Sequence, residues 1–171
     1  MLARCSIEHA PEILAIFNEA IATSTALYDY EPRTLASMGK WFETKESGNF
    51  PVIGSFAADG SLAGFATYGT FRAFAGYKYS VEHSVYVRAD KRGHGLGKIL
   101  LAAIIQAAHD QDYHVLIGGI DSANHGSIHL HLQAGFSHCA TIKEAGYKFG
   151  AWRDLLFYQL ILPTPQVPVE R

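Results

Sequence analysis

Between residues 85 and 98 the chain reads Val85-Tyr86-Val87-Arg88-Ala89-Asp90-Lys91-Arg92-Gly93-His94-Gly95-Leu96-Gly97-Lys98 and then runs into the apolar stretch Ile99 to His109. A strand here hands over to a helix through a basic turn rich in glycine. Glycines remove the side chains that would keep an anion off the backbone N–H groups, and the first helical turn adds unpaired donors and the positive end of the peptide dipoles. With Arg92 and Lys98 adding charge, the segment is a candidate seat for a pyrophosphate. Two other phosphate motifs do not fit. A Walker loop needs one more residue between Gly93 and Gly97 and a Ser or Thr after Lys98, where Ile99 stands. A dinucleotide fingerprint needs Gly-x-Gly-x-x-Gly at the first strand of a repeated unit, whereas this Gly-x-Gly-x-Gly lies mid-chain.

The rest of the chain supplies the frame. Ile13, Ile16, Phe17, Ala20 and Ile21 recur at helical spacing behind Pro11, predicting a helix over about 8–22, and Leu35, Met38, Trp41 and Phe42 predict another over about 33–46. Strands are expected at 52–57 and 62–68 around the turn formers Asp59-Gly60, and again at 80–87. After the glycine turn come a helix at 99–109, a strand at 115–120, a helix at 127–134 and two closing strands near 136–147 and 153–162. That order argues for one mixed α/β sheet covered by helices on both faces, a single domain over 1–162. The tail 163–171, with three prolines and little to bury, is expected to be extended or mobile.

Composition excludes several classes. No stretch approaches the roughly 20 apolar residues of a membrane span, and Met1 to Glu8 lacks a signal pattern, so a soluble, cytoplasmic protein is expected. The net charge of −2 leaves no general basic field for nucleic acid. Cys5 and Cys139 alone form no disulfide framework and read as reduced, packed thiols. His125, His129 and His131 tempt a metal reading, but residues two apart do not share a helix face and no carboxylate or cysteine completes a set; no metal is expected.

The turn Arg92-Gly93-His94-Gly95-Leu96-Gly97 resembles the Gln/Arg-x-x-Gly-x-Gly/Ala motif of the GNAT superfamily of N-acetyltransferases. Three separated blocks, Tyr68 to Tyr77, Val81 to Val87 and Lys148 to Asp154, resemble its phosphinothricin and methionine sulfoximine acetyltransferases more narrowly. The resemblance implies a mostly antiparallel central sheet splayed between the strands near 80–87 and 114–120. It also implies acetyl-CoA as cosubstrate, a small amino-acid-like acceptor such as phosphinothricin or methionine sulfoximine or sulfone, and a homodimer formed partly by the 148–154 block. The alternatives are an ordinary amino acid or a peptide amine as acceptor, or a catalytically silent coenzyme A sensor.

Acetyl transfer needs a base for an ammonium that is mostly protonated at pH 7. Glu82, in an otherwise apolar strand, is the candidate, because desolvation there raises a carboxylate's pKa. Val85, Tyr86 and Val87 are expected to face the pantetheine arm, Val85 and Val87 through backbone groups. Gly93, His94, Gly95, Leu96, Gly97 and Lys98 are expected to hold the pyrophosphate with Arg92. By the resemblance, Asn124 and Ser127 are implied on the cofactor side, and His131 either protonates the leaving thiolate or orients the cofactor. Arg72 suits a substrate carboxylate or phosphinate, its guanidinium matching such oxygens bidentately, with Phe74, Tyr77 and Tyr28 as aromatic walls. The usual arginines before Gly135-Phe136 and the usual arginine and acidic pair near the first helix are absent.

Overall fold

The structure, a computed structural model, describes residues 1–170. Seven strands form one sheet in the order β1-β2-β3-β4-β5-β7-β6: β1 Leu2–Arg4, β2 Val52–Phe56, β3 Leu62–Thr70, β4 Ser80–Val87, β5 Val115–Asp121, β6 Ser137–Lys148 and β7 Ala151–Ile161. Only β4 and β5 run parallel; every other neighbouring pair is antiparallel. Four helices complete it: α1 Ala10–Thr23, α2 Leu35–Ser47, α3 Leu96–Asp110 and α4 His125–Gln133. The expected α/β architecture is borne out.

Two apolar clusters flank the sheet. On one face α1 and α2 bring Ile13, Phe17, Met38 and Phe42 against Phe65. On the other, α3 lays Leu100, Leu101, Ile104 and Ala108 against Ala66, Val81 and Leu116, which the one-three-four spacing of the helix dictates. Thr34 caps α2 by accepting the N–H of Ser37.

The departures from expectation are local and have physical causes. The strand β1 has a mostly exposed, three-residue sequence and exists through its pairing with β2 fifty residues on, which no local pattern announces. The helix α3 starts at Leu96 rather than 99, because Gly95 serves as its N-cap in the left-handed region (φ 77°) and Leu96-Gly97-Lys98 are already helical. The tail forms no helix or strand over 163–170 and is tied at two points: Thr164, 7% exposed, donates its hydroxyl to Tyr113 O at 2.6 Å, and Tyr79 Oη joins both backbone groups of Val169. Both cysteines are free, but only Cys5 is packed; Cys139 stands exposed on the edge strand β6. No helix among the described residues is long and apolar enough to cross a membrane.

Ile104 is fully buried between α3 and the sheet. Ile104→Ala leaves a cavity there and is expected to lower unfolding free energy by about 3 kcal/mol, read from urea denaturation monitored by circular dichroism.

Candidate functional site

The ladder between β4 and β5 lasts for three residues, Ser80, Val81 and Glu82 against Val115, Leu116 and Ile117. Beyond it β4 continues to Val87 and β5 to Asp121 without pairing to each other, and a cavity of about 910 Å³ opens in the fork. Alternation along β4 gives this fork two sides. His83 packs on Phe136, on the α3 and α4 side, while Tyr86 packs on Phe17 and Phe65 of the α1 face and Glu82 shares its side. Two adjacent glycines of β5 make room for both. A Cβ on Gly118 would lie 3.0 Å from His83 Cε1, and one on Gly119 would lie 3.2 Å from Glu82 Oε1.

The glycine turn forms one end of the cavity. Gly93 and Gly95 have φ of 78° and 77°, a region that costs other L-residues strain. Lys98 and Ile99 both donate N–H to Gly95 O, at 3.1 and 3.2 Å, so the N–H groups of Leu96 and Gly97 ahead of them have no acceptor within the helix. Lys91, Arg92, Gly93, Gly95, Leu96 and Gly97 line the cavity; His94 and Lys98 do not. The His94 ring donates from Nδ1 to Arg92 O at 2.7 Å. Arg92 bonds Val87 O at 2.9 Å and pairs with Glu19 of α1 at 3.1 Å, a partner with no local signal in the sequence. Val85, Tyr86 and Val87 form the β4 wall, and Asn124 and Ser127 lie opposite, Asn124 accepting the Ser127 N–H at 3.1 Å as the cap of α4.

The sequence profile of the acetyltransferase (GNAT) family matches residues 13–136. The L-methionine sulfoximine/L-methionine sulfone acetyltransferase of Pseudomonas aeruginosa is 44% identical over 159 residues, 92% of this chain and 92% of that protein. A solved structure from Acinetobacter baylyi ADP1 superposes with a TM-score of 0.99 at 51% identity, covering 100% of this chain and 96% of that one. A phosphinothricin acetyltransferase from Sinorhizobium meliloti, solved in complex with acetyl-CoA, superposes with a TM-score of 0.94 at 28% identity, covering 98% and 91%. The chain belongs to the acetyltransferase (GNAT) family. It is an N-acetyltransferase, as the glycine turn and the three sequence blocks implied.

Within this GNAT fold the floor of the cavity is a buried histidine pair. His83 Nε2 and His131 Nε2 lie 2.9 Å apart, and His131 Nδ1 lies 2.7 Å from Ser127 O. A carbonyl only accepts, so Nδ1 of His131 carries a proton; in the neutral ring that burial favours, its Nε2 is then bare and His83 Nε2 is the donor. Burial holds His83 down to about 3 and lowers His131 as well, with the neighbouring His131 adding to the effect on His83 and the Ser127 carbonyl opposing it on His131. His83 passed unnoticed in the sequence because its partner lies 48 residues away. His125 and His129 are exposed on α4, and among the described residues no group of three His, Cys, Asp or Glu side chains is placed to hold a metal ion.

On the other side Glu82 opens on the cavity, and burial among its walls raises its carboxyl pKa above the ordinary value. Tyr28 lines the same side and donates its hydroxyl to the buried Asp121, whose other oxygen accepts Ala123 N–H at 2.7 Å. Arg72, Phe74 and Tyr77 do not line this cavity. They lie in the 71–79 connection, which leaves β3 at the paired end of β4 and β5, away from the fork; Phe74 is 76% exposed and Arg72 stacks on Phe71 at 5.4 Å.

The neutral histidine pair ties stability to pH. In the unfolded chain both rings take up protons below about pH 6.5, whereas the folded His83 resists until about 3, so the native state loses stability as pH falls through that window. Urea midpoints from pH 7 to 5 are expected to fall, at up to about 1.4 kcal/mol per pH unit for each buried ring. In His83→Gln the slope is shallower.

Proposed function

We propose that this chain moves the acetyl group of acetyl-CoA to the α-amine of a small amino-acid analogue of the methionine sulfoximine, methionine sulfone or phosphinothricin type, in the cytoplasm and as a homodimer. The observation that carries the reading is the two-sided fork: a pyrophosphate-type turn at one end of a cavity and a crowded carboxylate, Glu82, on its other face. The cavity size is that of a small-molecule site. The named activities of the Pseudomonas and Sinorhizobium relatives supply the acceptor class, and the bound acetyl-CoA of the latter supplies the donor. Exposed Tyr147, Phe149 and Trp152 at the β6–β7 turn support an association of two copies.

The residues divide the work by face. Backbone N–H groups of the glycine turn and the start of α3 receive the pyrophosphate, with Lys91 beside them and Arg92 available on release from Glu19. The stretch of β4 from Val85 to Val87, paired to β3 but without a partner on its β5 side, aligns the pantetheine amides as a further strand would, the Val87 carbonyl being shared with Arg92. Acetyl-CoA supplies the thioester carbon that is attacked. Glu82, directly or through one water, takes one proton from the acceptor's ammonium, which frees the lone pair for attack; the acetyl C–S bond then breaks, and coenzyme A leaves as the thiol with the second proton that the attacking nitrogen gives up. His131 orients rather than donates, since its only proton is committed to Ser127 O and its other nitrogen accepts from His83.

Thiol release is to be measured with methionine sulfone, methionine sulfoximine, phosphinothricin and the ordinary amino acids as acceptors. Turnover with the analogues is expected; acetyl-CoA binding without turnover of any amine overturns the reading in favour of a sensor. Glu82→Gln is expected to lower kcat about a hundredfold while calorimetry shows acetyl-CoA affinity changed by less than about twofold. Wild-type kcat/KM declines as pH drops through a value above the ordinary glutamate range, because protonated Glu82 cannot accept a proton, and the variant lacks that dependence.

A further inference from the structure

Lys148 is 4% exposed although its neighbours Tyr147 and Phe149 are 46% and 56% exposed, so the hairpin of β6 and β7 turns one ammonium inward. That ammonium donates to Ile21 O at 2.7 Å, to Ser24 O at 2.9 Å and to Leu27 O. Its three protons are therefore all used, and every partner is a carbonyl. Ile21 belongs to the last turn of α1, where carbonyls have no helical donor and the dipole favours a cation. Lys148 thus closes the end of α1 from a strand 127 residues away.

Past the end of α1 the chain enters the irregular segment 24–34, and Ser24, Thr25, Ala26, Leu27 and Tyr28 wall the Glu82 side of the cavity. The hairpin holds this segment at further points. Tyr30 donates its hydroxyl to Tyr147 O at 2.7 Å, and the Tyr28 ring lies so close to Gly146 that a Cβ there would sit 2.7 Å from Tyr28 Cε1. At its far end Asn18 clamps Arg33 through both backbone groups, at 2.8 and 3.0 Å. None of these ties touches the glycine turn or α3, the donor side.

We infer that Lys148 is a positioning residue for the acceptor: by gathering the carbonyls of Ile21, Ser24 and Leu27 it fixes the Ser24–Tyr28 wall opposite Glu82, and so sets which amines the enzyme accepts without affecting the acetyl donor. The inference rests on the acetyl-transfer reading above for its kinetic consequence. Its structural half does not depend on which amine is used. An uncharged side chain at 148 leaves three carbonyls unpartnered in a buried place, and the segment relaxes toward water to satisfy them.

The test pairs hydrogen–deuterium exchange with steady-state kinetics on the full chain, for wild type, Lys148→Met and Tyr30→Phe. In Lys148→Met, amide exchange over 24–34 is expected to rise about tenfold or more while peptides from α3 and β4 stay as in wild type. KM for methionine sulfone is expected to rise about tenfold with KM for acetyl-CoA within about twofold. Tyr30→Phe, a change at the surface, shifts both readings the same way by a smaller factor and carries the test if Lys148→Met does not fold. Unchanged exchange over 24–34 in folded Lys148→Met overturns the inference, as does an equal rise in the two KM values. Wild type that turns over no amine at all refutes the proposed function instead, and the exchange measurement still decides whether Lys148 holds the segment.

Discussion

The parallel ladder between β4 and β5 stops at Glu82 and Ile117, and that stop is the origin of most features that set this chain apart from an ordinary sheet protein. A sheet normally satisfies each strand's N–H and C=O groups from its neighbour, and a buried group left without a partner costs about 1–3 kcal/mol. Past the stop the facing groups of β4 and β5 must look elsewhere. The fold answers by holding the fork open as a cavity, where water or a ligand with its own amides can serve them, and by closing the flanks with regular elements: β3 on one side of β4, β7 on one side of β5. The break in the sheet is thus confined, with complete ladders on both sides of it.

Confinement also explains the residues at the break. Gly118 and Gly119 are the first residues of β5 beyond the ladder, and their bare backbones let the imidazoles of His83 and His131 approach from one face and Glu82 from the other. The histidines contribute polarity without charge. Each has a single proton whose place is dictated by the next acceptor along, ending at the Ser127 carbonyl in α4. A charged floor would repel or capture ionic groups; with a neutral, hydrogen-bonded floor the carboxylates at the fork, Glu82 and Asp121, stand on its other side.

How much of this is legible in the sequence depends on the range of the interaction. The strand, glycine turn and helix at 85–98 are local, and the apolar spacing of α1, α2 and α3 marks their buried faces directly. The splay between β4 and β5 was expected through the family resemblance, since periodicity cannot say where two strands stop pairing; its two different sides were not. Contacts between distant segments left no trace: His83 with His131, Glu19 with Arg92, Lys148 with the end of α1, and the strand β1, which is defined by its partner. Arg72, Phe74 and Tyr77 stand out by residue type; in the single chain they lie in the 71–79 connection and do not line the cavity, a placement that residue type alone does not give.

The two halves of the cavity are built by different means, and the difference bears on how such an enzyme can change its substrate. The half proposed for the donor consists of a helix terminus, a strand edge and a capped α4, so its geometry is set by regular backbone and tolerates little variation. The half proposed for the acceptor is walled by an irregular segment whose shape comes from ties to β6 and β5, Lys148 reaching in and Tyr30 and Tyr28 reaching out. Regular structure resists redesign because its hydrogen bonds are consecutive and cooperative; a tied loop responds to single substitutions, each tie being worth about 1 kcal/mol or a little more. On the proposed division, one donor site with a variable acceptor wall is the arrangement this architecture favours, the wall depending on the β6–β7 hairpin, which lines the cavity only at Phe149 and Leu155, as much as on its own residues.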